Sequence, residues 1–233
     1  MRQIILDTET TGLSPESGDR IVEIGCVELV NRRLTGRTTH FYLNPQRPNN
    51  PDAFAVHGLS DEFLADKPLF DAVVDEFLGF VDGAEIIIHN AAFDVGFLDA
   101  ELRRIARPSF GGCVARVIDS LAMARDIYPG KSNSLDSLCK RLEVNNSARE
   151  LHGALLDAGL LAEVYLRMTR GQESLVIDAA EAMADLAGRP IDFSGLHLVV
   201  IAAADDELQA HAALLAEIDQ ASHGRTVWQR LAA

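Results

Sequence analysis

The sequence predicts an α/β protein of three layers, with helices on both faces of a mixed central sheet. Three observations point there. Apolar or alternating runs over residues 3–6, 20–29 and 38–43 follow one another through short connections, which favours antiparallel pairing. Short apolar strands then alternate with stretches whose apolar residues recur at helical spacing, the pattern of crossover units. Finally, 48% of the 233 residues are hydrophobic, enough to build the core of one large domain, or of one domain with an appendage.

Each element has its own signal. Residues 3–6 read as a buried strand, and 20–29 as an alternating, partly β-branched one. In 38–43, His40 and Tyr42 oppose Phe41 and Leu43; the basic pair Arg32–Arg33 and Gly36 suggest a hairpin before it. Residues 45–51 read as a loop. Pro68 stands near the start of a helix carrying Leu69, Val73, Phe77 and Phe80. Residues 85–89 form a short apolar strand, and 93–104 a helix with Phe93, Phe97, Leu98 and Leu102 on one stripe. A strand over 116–118 precedes Asp119 and Ser120, either of which can cap the next helix. Helices are expected over 134–142, with Leu135 and Leu138 inward, and over 153–168. The first strand falls near the middle of the sheet.

Three units follow: a domain over 1–170, a linker over 171–195, where small and acidic residues dominate, and a tail over 196–233. The tail holds one strand pattern, 196–203, and one helix with Leu208, Leu215 and Ile218. One strand and one helix bury too little surface to fold alone, so the tail must dock on this domain or on another protein.

Composition narrows the function classes. The three cysteines, Cys26, Cys113 and Cys139, include no close pair, which argues against a disulfide framework or a zinc cluster and for a reducing cytoplasm. No secretory leader or membrane-spanning run is expected. The formal net charge of −14 implies long-range repulsion from DNA or RNA, so a nucleic-acid substrate would need bound cations, or a partner that keeps the polymer close.

Asp7 and Glu9 end the first apolar run two residues apart, so a strand would aim both at one spot. Two such carboxylates repel, and a hard divalent cation holds them; an exposed strand end is the plainer reading. Asp94 lies at the start of the helix after the second apolar strand, where an acid also serves as a simple cap. His152 and Asp157 sit at the mouth and first turn of the long helix, a spacing common by chance. Together, four acids and one imidazole match the needs of in-line phosphoryl displacement. Two ions about 3.5–4 Å apart clamp the attacking and leaving oxygens. Carboxylates suit Mg²⁺ or Mn²⁺, and a histidine takes the proton from water.

Asp7-Thr-Glu9, Asn90-Ala-Ala-Phe-Asp94 and His152-x₄-Asp157 resemble, in order and context, the three motifs of the DnaQ-like, or DEDDh, 3′–5′ exonuclease family. The likeness extends through residues 31–36, 56–58, 61–63, 93–97, 129–131, 133–136 and 151–158 and into the tail, and is strongest to members that proofread for a bacterial replicative polymerase. It implies an RNase H-like fold. It makes Asp7, Glu9, Asp94 and Asp157 the ligands of two divalent ions, Asp7 bridging, and His152 the general base. The implied reaction is stepwise release of nucleoside monophosphates from a single-stranded 3′ DNA end. The implied partners are the catalytic (alpha) subunit of DNA polymerase III, through the tail, and a small theta-like accessory subunit.

Other contacts are less specific. Backbone N–H groups of Thr10, Thr11 and Gly12 could meet the terminal nucleotide, or simply form a turn. Phe93 could stack on a base or pack in the core. His57, in a loop, could wall the pocket or be solvated. His89 reads as structural and Asp119 as a cap. Residues 172–177 resemble the glutamine-plus-apolar peptides that dock on the sliding clamp: Gln172 would make polar contacts, Leu175 and Ile177 would enter a groove, and Ser174 lies between. The plain alternative is a helix end running into a linker. Two further readings keep the same residues: a free-standing RNA or oligonucleotide exonuclease, and a non-catalytic module that stabilises a polymerase complex.

Overall fold

The computed structural model describes residues 1–147, 151–169 and 202–224. The chain divides into two compact units, Met1–Leu175 and Val176–Ala233. The expected linker lies outside the described residues, as do Gln172, Ser174, Leu175 and Ile177 and most of the tail strand.

The first unit is built on a five-stranded mixed sheet. In chain order the strands are β1 (Arg2–Thr10), β2 (Ile21–Val30), β3 (Arg33–Tyr42), β4 (Glu85–Ile88) and β5 (Arg116–Asp119). They lie in the order β3-β2-β1-β4-β5, so β1 is central as expected. The pairs β1–β2 and β2–β3 are antiparallel, and β1–β4 and β4–β5 parallel. The helices are α1 (Pro51–His57), α2 (Asp61–Leu64), α3 (Phe70–Val81), α4 (Ala91–Arg104), α5 (Ser120–Ile127), α6 (Leu135–Arg141) and α7 (Ala154–Met168).

Alternation along β1 sorts its side chains into two cores. Ile4 and Leu6 pack with Phe77 and Val81 of α3 and with Phe97, Leu98 and Leu102 of α4. Ile5 faces the other way, with Val27, Ile87 and the α7 residues Ala158, Leu161 and Tyr165. The same alternation sends Asp7 and Glu9 toward α7 and Thr8 toward α4. A third cluster ties α5, α6 and α7 through Ala124, Leu138 and Val164.

Several expectations are corrected. The hairpin turns at Asn31 and Arg32, both at positive φ (48° and 62°), as a two-residue connection between twisted strands requires. Gly36 lies inside β3, which begins earlier than expected, at Arg33. The loop expected over 45–51 ends at Asn50, where α1 begins, and α2 follows; Asn50 caps α1 through Asp52 N–H, and Ser60 caps α2 through Phe63 N–H. Leu69 stands at the N-cap of α3, whose inward stripe is Phe70, Val73, Val74, Phe77 and Val81.

In the second unit one helix, α8 (Asp205–Ala221), is described. None of its residues is buried, and Leu208, Leu214 and Ile218 are exposed. No described helix is long and apolar enough to cross a membrane.

Candidate active site

The site forms where the parallel strands β1 and β4 end. Asp7 and Glu9 close β1. The connection from β4 to α4 is only His89 and Asn90, and Asn90 takes a left-handed conformation (φ 71°) that asparagine tolerates better than most residues. This tight reversal puts Asp94 in the first turn of α4, at the same sheet edge.

The third contribution depends on Gly25, the cross-strand partner of Asp7. A Cβ on Gly25 would stand 2.2 Å from the Leu155 nitrogen and 2.3 Å from the Ala154 carbonyl carbon. With no side chain there, the start of α7 lies directly on β2, and its first turn brings Asp157 to the acids of β1. The segment before α7 is fixed too. His152 N–H donates to the Val56 carbonyl at 3.1 Å. Gly58, at φ 70°, leaves room for Leu151, whose Cδ1 would lie 2.6 Å from a Cβ there. The short helix α1 is thus part of the support of His152.

One cavity of about 570 Å³ is lined by Asp7, Glu9, Asp94, His152 and Asp157 together with Phe93 and His89. Ligand atoms of Glu9, His152 and Asp157 all lie within 4.8 Å of one another. His152 Nδ1 stands 3.3 Å from Asp157 Oδ2; the imidazole is 46% exposed, the carboxylate 4%. Asp94 is buried and accepts a 2.7 Å hydrogen bond from Thr8 Oγ1. Burial pushes its pKa up to about 7, and the hydrogen bonds from Thr8 lower it only in part, so desolvation wins. A carboxyl so placed gains from a cation beside it. Four carboxylates, those of Glu9, Asp94 and Asp157 buried and that of Asp7 half-buried, fit a hard divalent ion.

The remaining expected residues fall into two groups. Phe93 lines the cavity, half-buried, with its ring 4.9 Å from that of Phe97, so it is both a wall and an edge of the core. Thr10, Thr11, Gly12 and His57 are not among the lining residues. Thr11 N–H is spent on the Arg20 carbonyl at 2.9 Å, Thr10 Oγ1 donates to the Gly12 carbonyl, and Gly12 packs on the Asp19 carboxylate. This is turn chemistry. His57 is the last residue of α1, not a loop residue; it is buried, accepts from Leu59 N–H at Nδ1, and has its pKa lowered by burial. His89 is structural as expected, held by Ser120 Oγ and the Asn133 carbonyl, although its edge reaches the cavity. Asp119 accepts from Leu121 and Ala122 N–H and caps α5.

Thr8 and Gly25 escape a reading by motif. In the sequence Thr8 is only the residue between two acids; that it faces Asp94 follows from strand alternation once β4 is known to lie beside β1. The need for Gly25 appears only with α7 on top of it.

Acids from β1, α4 and α7 converge with a histidine at one cavity of an α/β scaffold. A family model described as Exonuclease matches residues 4–165. The DNA polymerase III subunit epsilon of Escherichia coli (strain K12) is 48% identical, the match covering 98% of this chain and 97% of that protein. The same-named protein of Pasteurella multocida (strain Pm70) is also 48% identical, over 98% of this chain and 94% of that one. Among solved structures, Exonuclease X in complex with 5′ overhanging duplex DNA is similar at a TM-score of 0.59 and 27% identity, over 80% of this chain and 99% of that one. The nuclease domain of 3′hExo, a DEDDh family member bound to rAMP, shares the fold at a TM-score of 0.63 and 18% identity, over 73% of this chain and 92% of that one. The chain belongs to the exonuclease family, in the branch formed by the epsilon subunits of DNA polymerase III. Its fold is the RNase H-like one expected, and the family depends on divalent metal ions.

Proposed function

We propose that the chain proofreads for DNA polymerase III by hydrolysing the 3′-terminal phosphodiester of a frayed DNA strand at a two-metal centre, releasing nucleoside monophosphates. The observation that carries this is the meeting of Asp7, Glu9, Asp94 and Asp157 with His152 in one cavity. Asp7, Glu9, Asp94 and Asp157 would hold two divalent ions, Mg²⁺ or Mn²⁺. When bound, such ions activate the attacking water and stabilise the leaving oxygen.

The chain's own groups do the rest. Asp157 beside Nδ1 orients the His152 ring, and the other ring nitrogen takes the proton of the attacking water. Phe93 supports the terminal base from the rim without reading its identity. The cavity takes a single strand, and a mismatched end supplies one more often than a paired end does.

The tail, 196–233, docks on the polymerase catalytic (alpha) subunit, consistent with the exposed Leu208, Leu214 and Ile218 of α8. Gln172, Ser174, Leu175 and Ile177 engage the sliding clamp, and a small theta-like subunit binds the nuclease domain. The protein works in the cytoplasm. Tethering raises the local concentration of 3′ ends, so little intrinsic affinity for DNA is needed.

The test is the double substitution Asp7→Ala with Glu9→Ala. Hydrolysis of a 3′-labelled single strand should fall by about a thousandfold or more, while co-purification with the polymerase catalytic subunit persists. Nuclease activity at the parent level would refute the assignment of these two acids.

A further inference from the structure

The cavity that gathers the acids is also lined by two cations, Arg125 and Lys131. Both are exposed, and neither forms an ion pair with a described residue. Arg125 comes from the last turn of α5, and Lys131 from the loop between α5 and α6. In a chain of net charge −14, two cations facing the same cavity as the catalytic acids need a reason. The ordinary one, a solvated surface, predicts a loose loop. This loop is pinned along its length.

Arg141 Nη1 donates to Asn133 Oδ1 at 3.1 Å, and its Nη2 to the Ser132 carbonyl at 2.8 Å. Its guanidinium lies 4.7 Å from the Tyr128 ring centroid. Asn133 Nδ2 donates to the Tyr128 carbonyl, closing the loop on itself. His89, from the end of β4, joins its Nε2 to the Asn133 carbonyl at 2.9 Å and its Nδ1 to Ser120 Oγ at 3.0 Å. Burial lowers the His89 pKa. Gly130, at φ 72°, provides the turn that presents Lys131. The acid on this wall, Asp136, accepts from Asn146 Nδ2. A fixed loop that holds one cation, and a helix end that holds another on the same cavity, make an anion-binding subsite.

We propose that Arg125 and Lys131 grip backbone phosphates of the strand upstream of the scissile bond. The proposal rests on the exonuclease reading and names what that reading leaves open: how an acidic protein seats a polyanion. The scissile phosphate belongs to the metal centre. The next phosphates need cations a short distance away, and these two line the same cavity. The substrate is therefore a strand of several nucleotides, and a one-phosphate ester should be bound less well.

The test compares the full-length protein with Arg125→Ala, Lys131→Ala, the double variant and Lys131→Arg, in Mg²⁺. The substrates are a single-stranded oligonucleotide of about ten nucleotides and the p-nitrophenyl ester of thymidine 5′-monophosphate. The double variant should raise KM for the oligonucleotide about tenfold with little change in kcat, and raise KM for the ester much less. The slope of log KM against log salt should flatten by about 0.7 for each phosphate that is no longer gripped. Lys131→Arg should keep KM close to that of the parent. An unmoved oligonucleotide KM and salt slope would overturn the proposal, as would equal losses on both substrates. Inactivity of the parent protein on both would sink the exonuclease reading itself, and this subsite with it.

Discussion

Asp94 shows how much a single residue's surroundings decide. Its carboxyl is buried, and the Thr8 hydroxyl offsets only part of the desolvation. A folded pKa near 7 stands above the ordinary carboxylate value, so between about pH 4 and pH 7 the folded chain holds a proton that the unfolded chain has lost. Stability therefore falls as pH rises through that window, and a bound cation reverses the effect by favouring the ionised form. Titrating EDTA-treated protein with Mn²⁺ should release close to one proton at pH 6 and almost none at pH 8. Calorimetry in two buffers of different ionisation heat measures this, and equal release at both pH values would contradict it. At this scale the sequence was informative wherever chemistry repeats as a motif: all five proposed catalytic positions line one cavity. It was silent on Thr8, whose importance lies in which neighbour it faces.

Among the elements, the seating of α7 on β2 matters most. Gly25→Ala would set a methyl group against main-chain atoms of Ala154 and Leu155, which cannot turn aside as a side chain can. The helix must lift, at a cost of about 1–3 kcal/mol. For a domain of this size that lowers Tm by roughly 2–12 °C. Activity should fall further than stability does, because Asp157 and His152 move with the helix. Thermal denaturation followed by circular dichroism, with assays well below Tm, separates the two effects; a variant with parent activity would show that the packing there is slack. Long elements such as α4 and α7 were legible because a sustained stripe of apolar residues has one good explanation. The short helices α1 and α2 were not. They have seven and four residues, and their caps, Asn50 and Ser60, resemble loop residues until the hydrogen bonds are seen. That gap hid the support of His152 by Val56 and Gly58.

For the whole molecule, the question is how a chain of net charge −14 finds a nucleic-acid end. Attachment to a polymerase answers it without a basic surface. Deleting residues 190–233 should abolish co-elution with the polymerase catalytic subunit in gel filtration, while hydrolysis of a free single strand stays near the parent level. Undiminished co-elution would mean that the nuclease domain carries the interaction. The fold class was legible from the order of the elements, since early antiparallel strands followed by crossovers leave few arrangements. After residue 170 small and acidic residues dominate up to 195, and the boundary between the units Met1–Leu175 and Val176–Ala233 falls within that stretch.

Because β1, α4 and α7 each bring part of the proposed catalytic set, no contiguous fragment shorter than the span from Asp7 to Asp157 holds it all. A nascent polypeptide would therefore gain the proposed site only once α7 has settled on the sheet. Damage that loosens this assembly should yield a silent protein, not an indiscriminate one.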